Sequence, residues 1–419
     1  MSVLLACIAT ITLTLSCIRF GWNSLVSLAL LGTYIYTSPG FLNMMIPFHQ
    51  TLGARGVFGV LSNDTLIALC LVWATLFLMT AAMPVPRRRI APQTTAPDPR
   101  WNGYLVSCII LGVLGFTTIS IMVGPLYFLQ DRNSTEVESS FISLIWRWIL
   151  VFGAVISIRL HRWISLTLFT SGLMIHFVAG DRTIPAITVT AILLMTGMLG
   201  VKRKAIPPPK YIVFGFLAFF FLLIGKPIYL AVKLQSLDGI DAYLNRDAFL
   251  GSVMSFEPLL TINILDYSIT NNLTMPFGDF LLSTFGNILI IPSAFGVNTN
   301  YFNTFFTSEM PASLSFGIAG NFYAHGYVVL GFPGIVIFAF LFFCVIFSIE
   351  RKIDTSTGMA QLTLVIIGAT IAIYLQRNGA DNILSFIRQI LIATLLIWIT
   401  DRVIRLLIIR RHRVSTFRT

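Results

Sequence analysis

The chain has 419 residues, of which 56% are hydrophobic and only 11% charged, and its mean hydropathy is +0.85. Soluble domains carry roughly a quarter charged residues, so the composition excludes a soluble globular protein and leaves an integral membrane protein. The net charge of +11 does not make it a nucleic-acid binder, because the basic residues fall in short clusters between apolar runs, where they act as topology signals.

Taken in chain order, apolar runs long enough to cross a bilayer occur near 3–18, 22–37, 64–83, 103–123, 141–158, 163–179, 184–199, 211–231, 327–349, 358–376 and 383–404. They predict an all-α polytopic integral membrane protein with eleven, or at most twelve, transmembrane helices. No Lys or Arg precedes the first run and no small-x-small pattern ends it, so it is expected to be a retained span and not a signal peptide. The five cysteines, Cys7, Cys17, Cys70, Cys108 and Cys344, all lie in apolar segments without metal-site spacing, and no disulfide framework is expected.

Alternating the spans puts 19 of the 28 basic residues on one face and seven on the other, with Arg147 and Arg388 inside spans. The positive-inside rule then predicts a cytoplasmic C-terminus and an outer N-terminus in a bacterial inner membrane. The longest connection on the basic face, 87–102 (RRRIAPQTTAPDPRWN), reads as a Pro-rich tether.

Three regions are expected: an N-terminal bundle of about eight spans (1–231), a large periplasmic loop (232–326) and C-terminal transmembrane helices with a basic tail (327–419). The polar stretch from Ala231 to Tyr327 interrupts the apolar chain and points to chemistry on the outer face. Within it, 241–266 has apolar residues at helical spacing, as an amphipathic helix lying on the membrane would. The more apolar 280–295, broken by Gly286 and Pro292, reads as re-entrant or interfacial.

Four places could carry chemistry. Gly180-Asp181-Arg182-Thr183, at an outer span end, is either a tight polar turn with a snorkelling arginine or a place where Arg182 grips an anionic headgroup with its planar donor fork. His325, in GNFYAHGYVVLGFPG, is either a structural hydrogen-bonding residue or a donor and proton acceptor at the mouth of the bundle. Arg377 and Arg388 frame the third; Arg388 lies inside a span, where a charge normally faces a partner or a wet cavity, and Asp381, seven residues earlier, could pair with it. Glu257 and Glu309 are the fourth, as carboxylate bases on the outer loop. Arg147, also inside a span, could reach the same cavity or snorkel. No metal-ligand cluster, Walker A loop or dinucleotide fingerprint is present, so neither a metal nor a cofactor is called for.

The topology, the enlarged outer loop in the C-terminal half, the G-x-R turn at Gly180 to Arg182 and the GNFYAHGYVVLGFPG run together resemble the bacterial O-antigen polymerase (Wzy) family. That resemblance implies a glycosyltransferase of lipopolysaccharide biosynthesis, with undecaprenyl-pyrophosphate-linked oligosaccharide as both donor and acceptor and a chain-length regulator as partner. By position it gives Arg182, Arg377 and Arg388 to the pyrophosphates, and His325, or else Glu309 or Glu257, to activation of the acceptor hydroxyl. An arginine-rich motif shared by two outer loops, known in some members, is missing here. Two other functions fit the same inventory: an O-antigen ligase, and a flippase or other transporter of lipid-linked oligosaccharide.

Overall fold

The computed structural model of the chain describes residues 1–44, 59–85, 100–124, 141–178, 181, 183–199, 206, 208–209, 257–287, 302–309 and 320–416, without the side chains of 141, 198–199, 257, 303 and 408–416. The elements are α1 (Ser2–Phe20), α2 (Leu25–Phe41), α3 (Asn63–Ala82), α4 (Arg100–Val123), α5 (Phe141–Arg159), α6 (Trp163–Val178), α7 (Thr183–Leu199), α8 (Glu257–Thr270), α9 (Phe277–Gly286), α10 (Phe302–Ser308), α11 (Phe322–Thr355), α12 (Gly358–Tyr374) and α13 (Ala380–Thr416). A 3-10 turn, Leu375–Arg377, joins the last two. Among the described residues seven helices are long and apolar enough to cross a membrane, and α2, α6 and α7 are shorter apolar helices. Ten of the expected spans thus coincide with helices, and the remaining one, 211–231, lies outside the described residues.

The chain forms two compact units, each built from separate stretches. The first comprises Met1–Arg87, Lys202–Arg351 and Gly368–Phe386; the second comprises Arg88–Val201, Lys352–Ile367 and Ile387–Thr419. These units cut across the linear division at 231 and 326, because late helices pack with early ones.

In the first unit, α1, α2 and α3 pack on one another and α8 packs on α2 and α3. Serine starts two of these helices: the hydroxyls of Ser24 and Ser62 accept the N–H groups of Ser27 and Thr65, satisfying donors that a helix N-terminus leaves without intrahelical partners. Two buried carboxylates add to this. Glu350 Oε2 accepts the Val26 N–H at 3.1 Å, and Asp266 Oδ1 accepts the Ser62 N–H at 2.8 Å, each placing negative charge at the positive end of a helix dipole.

The helix α8 corrects the expectation of a surface-lying helix across 241–266, as far as that segment is described. Leu259, Ile262, Asn263, Ile264, Leu265, Asp266, Ser268 and Ile269 are all buried, so α8 is enclosed on every face, whereas an interfacial helix exposes one. The interfacial pattern belongs to α9 instead. Phe277, Leu281, Leu282 and Phe285 are exposed while Ser283 and Gly286 face inward, the arrangement of a helix that offers its apolar side to lipid.

The span expected to run unbroken from 327 is a helical hairpin. At Gly331 the backbone has φ 67° and ψ −151°, which breaks α11 into a short arm, 322–330, and a long arm starting near Pro333. In a continuous helix Gly326 and Gly334 would be about 12 Å apart along the axis. Here a Cβ on Gly326 would lie 2.8 Å from the Gly334 carbonyl oxygen, and the Phe322 ring sits 5.0 Å from that of Phe338 and 6.2 Å from that of Phe342. The short arm therefore folds back along the long one. Glycine is needed at 331 for the turn and at 326 and 334 for the close approach, and Pro333 suits the first turn of the returning helix.

Candidate functional site

Among the described residues, each unit holds a buried polar centre that includes residues singled out from sequence. In the first unit the short arm of the hairpin carries His325 into a cluster of helix ends. Asn321 caps that arm, its Oδ1 accepting the N–H groups of Tyr323 and Ala324 while its Nδ2 donates to the Thr261 carbonyl. The His325 ring is fully buried, stacked on Phe302 at 4.6 Å and bordered by Phe280 and Phe338 at 5.3 and 5.8 Å. Its Nδ1 accepts the Ala380 N–H at 3.1 Å. In the neutral ring the proton then resides on Nε2, which is buried and has no hydrogen-bond partner among the described residues.

Asp381 completes this centre. Its Oδ2 accepts the Phe302 N–H at 2.8 Å and its Oδ1 the Asn382 N–H at 3.0 Å, so the buried carboxylate ties the first residue of α10 to the first turn of α13. Its Oδ1 lies 4.0 Å from His325 Nδ1, beyond hydrogen-bond range. The ion pair with Arg388 that the sequence spacing allowed is not how this carboxylate is used. Gly379 is required between them, since a Cβ there would meet Asp381 Oδ1 at 2.5 Å and His325 Nδ1 at 2.8 Å.

In the second unit α5 carries Arg147 into a buried ionic cluster. Its Nη1 lies 3.3 Å from Asp181 Oδ2, and its Nη2 donates to Gln389 Oε1 at 2.9 Å; the two charged side chains are 12% and 14% exposed. Trp148 Nε1 donates to the same Gln389 oxygen at 3.0 Å. Asp181 is held in turn, its Oδ1 accepting the Thr183 N–H and its own N–H donating to the His176 carbonyl. The His176 ring packs on Trp146 at 5.0 Å, and Trp146 Nε1 donates to the Gly112 carbonyl.

The depth of this cluster follows from helix geometry. Arg147 precedes Arg159 by twelve residues on α5 (159 − 147), and Gln389 precedes Asp401 by twelve on α13 (401 − 389), or about 18 Å along each axis. Arg159 lies over the Trp101 ring at 4.3 Å, and Asp401 contacts the position of Gly103, so both mark the end of the unit where α4 begins. The cluster therefore lies about 18 Å from that end of the unit, between apolar stretches of α5 and α13. A buried arginine at such depth needs a partner, and Asp181 and Gln389 supply two.

Of the residues singled out from sequence, Arg182 lies outside the described residues, and so does the side chain of Glu257, the first residue of α8. Arg377 is half-buried in the 3-10 turn of the first unit, three residues before the Ala380 N–H that binds His325. Arg388 is half-buried on α13 in the second unit. Glu309 is exposed at the end of α10, where its backbone carbonyl accepts the Tyr267 hydroxyl at 3.2 Å. Sequence reasoning did not find Gln389 or the pairing of Asp181 with Arg147. The available signal was an arginine inside a span, which demands a carboxylate from another outer span end. Compared with protein-family models, curated proteins and solved structures, the chain matches none.

Proposed function

We propose that the chain is a surface-polysaccharide polymerase of the bacterial inner membrane, joining undecaprenyl-pyrophosphate-linked glycans on the outer face. The observation that carries this reading is the buried cluster of the second unit. It links Asp181 and Gln389, the chain neighbours of Arg182 and Arg388, through one guanidinium. The family resemblance gives Arg182 and Arg388 to the pyrophosphate, whose oxygens a planar donor fork binds in pairs.

The acceptor hydroxyl oxygen attacks the anomeric carbon of the donor sugar. The bond from that carbon to the pyrophosphate oxygen breaks, and undecaprenyl pyrophosphate departs with the electron pair, stabilised by arginine. The hydroxyl proton passes to a base. Glu309, exposed just past the end of α10, is the base in this account. His325 has its Nδ1 lone pair occupied by the Ala380 N–H, and its role becomes that of holding the hairpin arm against α13. Glu257 is the alternative carboxylate base that the family resemblance offers.

A second reading draws on the hairpin at Gly331. Broken helices with a half-length arm also build the sites of secondary transporters, so a flippase for lipid-linked oligosaccharide is the rival, with an O-antigen ligase as the variant within the same chemistry. Reconstitution with lipid-linked repeat units separates them. Chain growth without nucleotide supports the polymerase, transfer only to lipid A core supports the ligase, and movement across the bilayer without growth supports the flippase.

A further inference from the structure

We infer that the basic end of α13, from Trp398 onward, is a binding surface for anionic phospholipid headgroups, in which Arg402 meets the phosphate and Val403, Leu406 and Leu407 lie against acyl chains. The inference is independent of the polymerase reading and rests on the second unit alone.

The apolar run of α13 ends at Thr400, and the helix does not end with it. In the second unit α13 runs from Ile387 to Thr416, about 45 Å at a rise of about 1.5 Å per residue, whereas a hydrocarbon core is about 30 Å thick. The surplus is the end that carries Arg402, Arg405, Arg410, Arg411 and Arg413, with Asp401 as its one acid. A helix that leaves the bilayer for water presents polar residues all round. This one exposes Val403, Leu406 and Leu407, the last two to 67% and 61%, so the same turns offer apolar and cationic contacts together. That pairing suits the headgroup layer, where apolar side chains reach acyl carbon and arginines reach phosphate. Lipid is the occupant that the position selects, because these turns continue the apolar part of the same helix without a break.

The charge of this surface is positive for a structural reason. Asp401 is buried against Gly103 and accepts Arg405 Nε at 3.0 Å, so the charges of that pair offset each other. Arg402 is exposed, rests over the Trp398 ring at 5.4 Å and has no carboxylate partner among the described residues. The indole is itself exposed and of the kind that settles at a membrane–water interface. It holds the guanidinium by one face and leaves the edge donors to phosphate oxygens. A second exposed pair, Arg162 and Trp163, opens α6 just after Arg159, which covers Trp101 at the same end of the unit.

The test uses the full chain reconstituted in phosphatidylcholine vesicles that contain either brominated phosphatidylglycerol or brominated phosphatidylcholine at the same fraction. Tryptophan quenching is the readout, and the part of it that W398F loses belongs to Trp398. We expect brominated phosphatidylglycerol to quench Trp398 at lower fraction than brominated phosphatidylcholine does. The preference should fall about fivefold in R402Q, weaken with salt and largely persist in R402K, a variant that keeps the charge and serves if R402Q folds poorly. Equal quenching by the two lipids, or an unchanged preference in R402Q, overturns the proposal. Two other outcomes also overturn it: inorganic phosphate abolishing the preference beyond the effect of chloride at equal ionic strength, which assigns the site to free phosphate, and shielding of Trp398 from both lipids, which assigns the surface to a protein contact.

Discussion

Arg147 and Gln389 meet at 2.9 Å although 242 residues separate them in the chain, and the bond joins α5 to α13 inside the apolar layer of one compact unit. Asp181 closes the cluster from the turn before α7. A buried charge that loses its partner is strongly destabilising, and this arrangement gives a direct stability prediction.

Removing one member of the buried pair, by R147Q or D181N alone, leaves the other charge in a low-dielectric site and should destabilise the protein by about 3–5 kcal/mol. Removing both should have a much smaller effect. Thermal unfolding in detergent of the two single variants and the double variant checks this; equal losses in all three would contradict it.

The buried carboxylate of Asp381 should behave as a structural link. D381A strips the acceptor from the Phe302 N–H and leaves that donor buried and unsatisfied, at a penalty of about 1–3 kcal/mol. D381N keeps an acceptor oxygen and should lose less. The order D381A below D381N below wild type in unfolding midpoint is the expected result.

His325 provides a contrast between structure and chemistry. With the ring sealed among Phe280, Phe302 and Phe338, H325A opens a void and orphans the Ala380 N–H. Its loss of polymer should therefore run in parallel with a loss of folded protein. A well-folded H325A that makes no polymer would return the histidine to the catalytic step.

The hairpin at Gly331 can be tested by two glycine substitutions. G331A places a side chain where φ is 67° and ψ −151°, a region that is strained for any other residue by about 1–3 kcal/mol. In G334A the Cβ runs into the Gly326 backbone carbonyl, which cannot rotate away as a side chain can. G334A is expected to be the more disruptive of the two, as measured by unfolding midpoint and by folded yield after extraction.

The spans were legible because each is a local property: a run of apolar residues of bilayer length, ended by polar or basic residues, as in Asn63–Ala82 or Gly358–Tyr374. The hairpin was not legible. Gly326 and Gly334 are eight residues apart, which a continuous helix would hold about 12 Å from each other, and only their contact in space explains the pair. The burial of α8 was hidden for a related reason: Asn263, Asp266 and Ser268 are polar, yet all three are buried, and the Ser62 N–H takes up the Asp266 carboxylate. At the candidate site the in-span Arg147 was visible as an anomaly, but Gln389 is a neutral residue next to a more conspicuous arginine. Its role depends on helix rotation, which places residue 389 and not 388 toward Arg147 and Trp148.

The central claim is that Arg182 and Arg388 act together on a lipid-linked pyrophosphate. It is tested most directly by incubating the reconstituted chain with purified lipid-linked repeat units, without nucleotide, and resolving the products by length. The account predicts a ladder of growing chains from the wild type and only the starting unit from R182A and R388A at equal protein level. Unchanged ladders from those two variants, or no growth from the wild type, would contradict it.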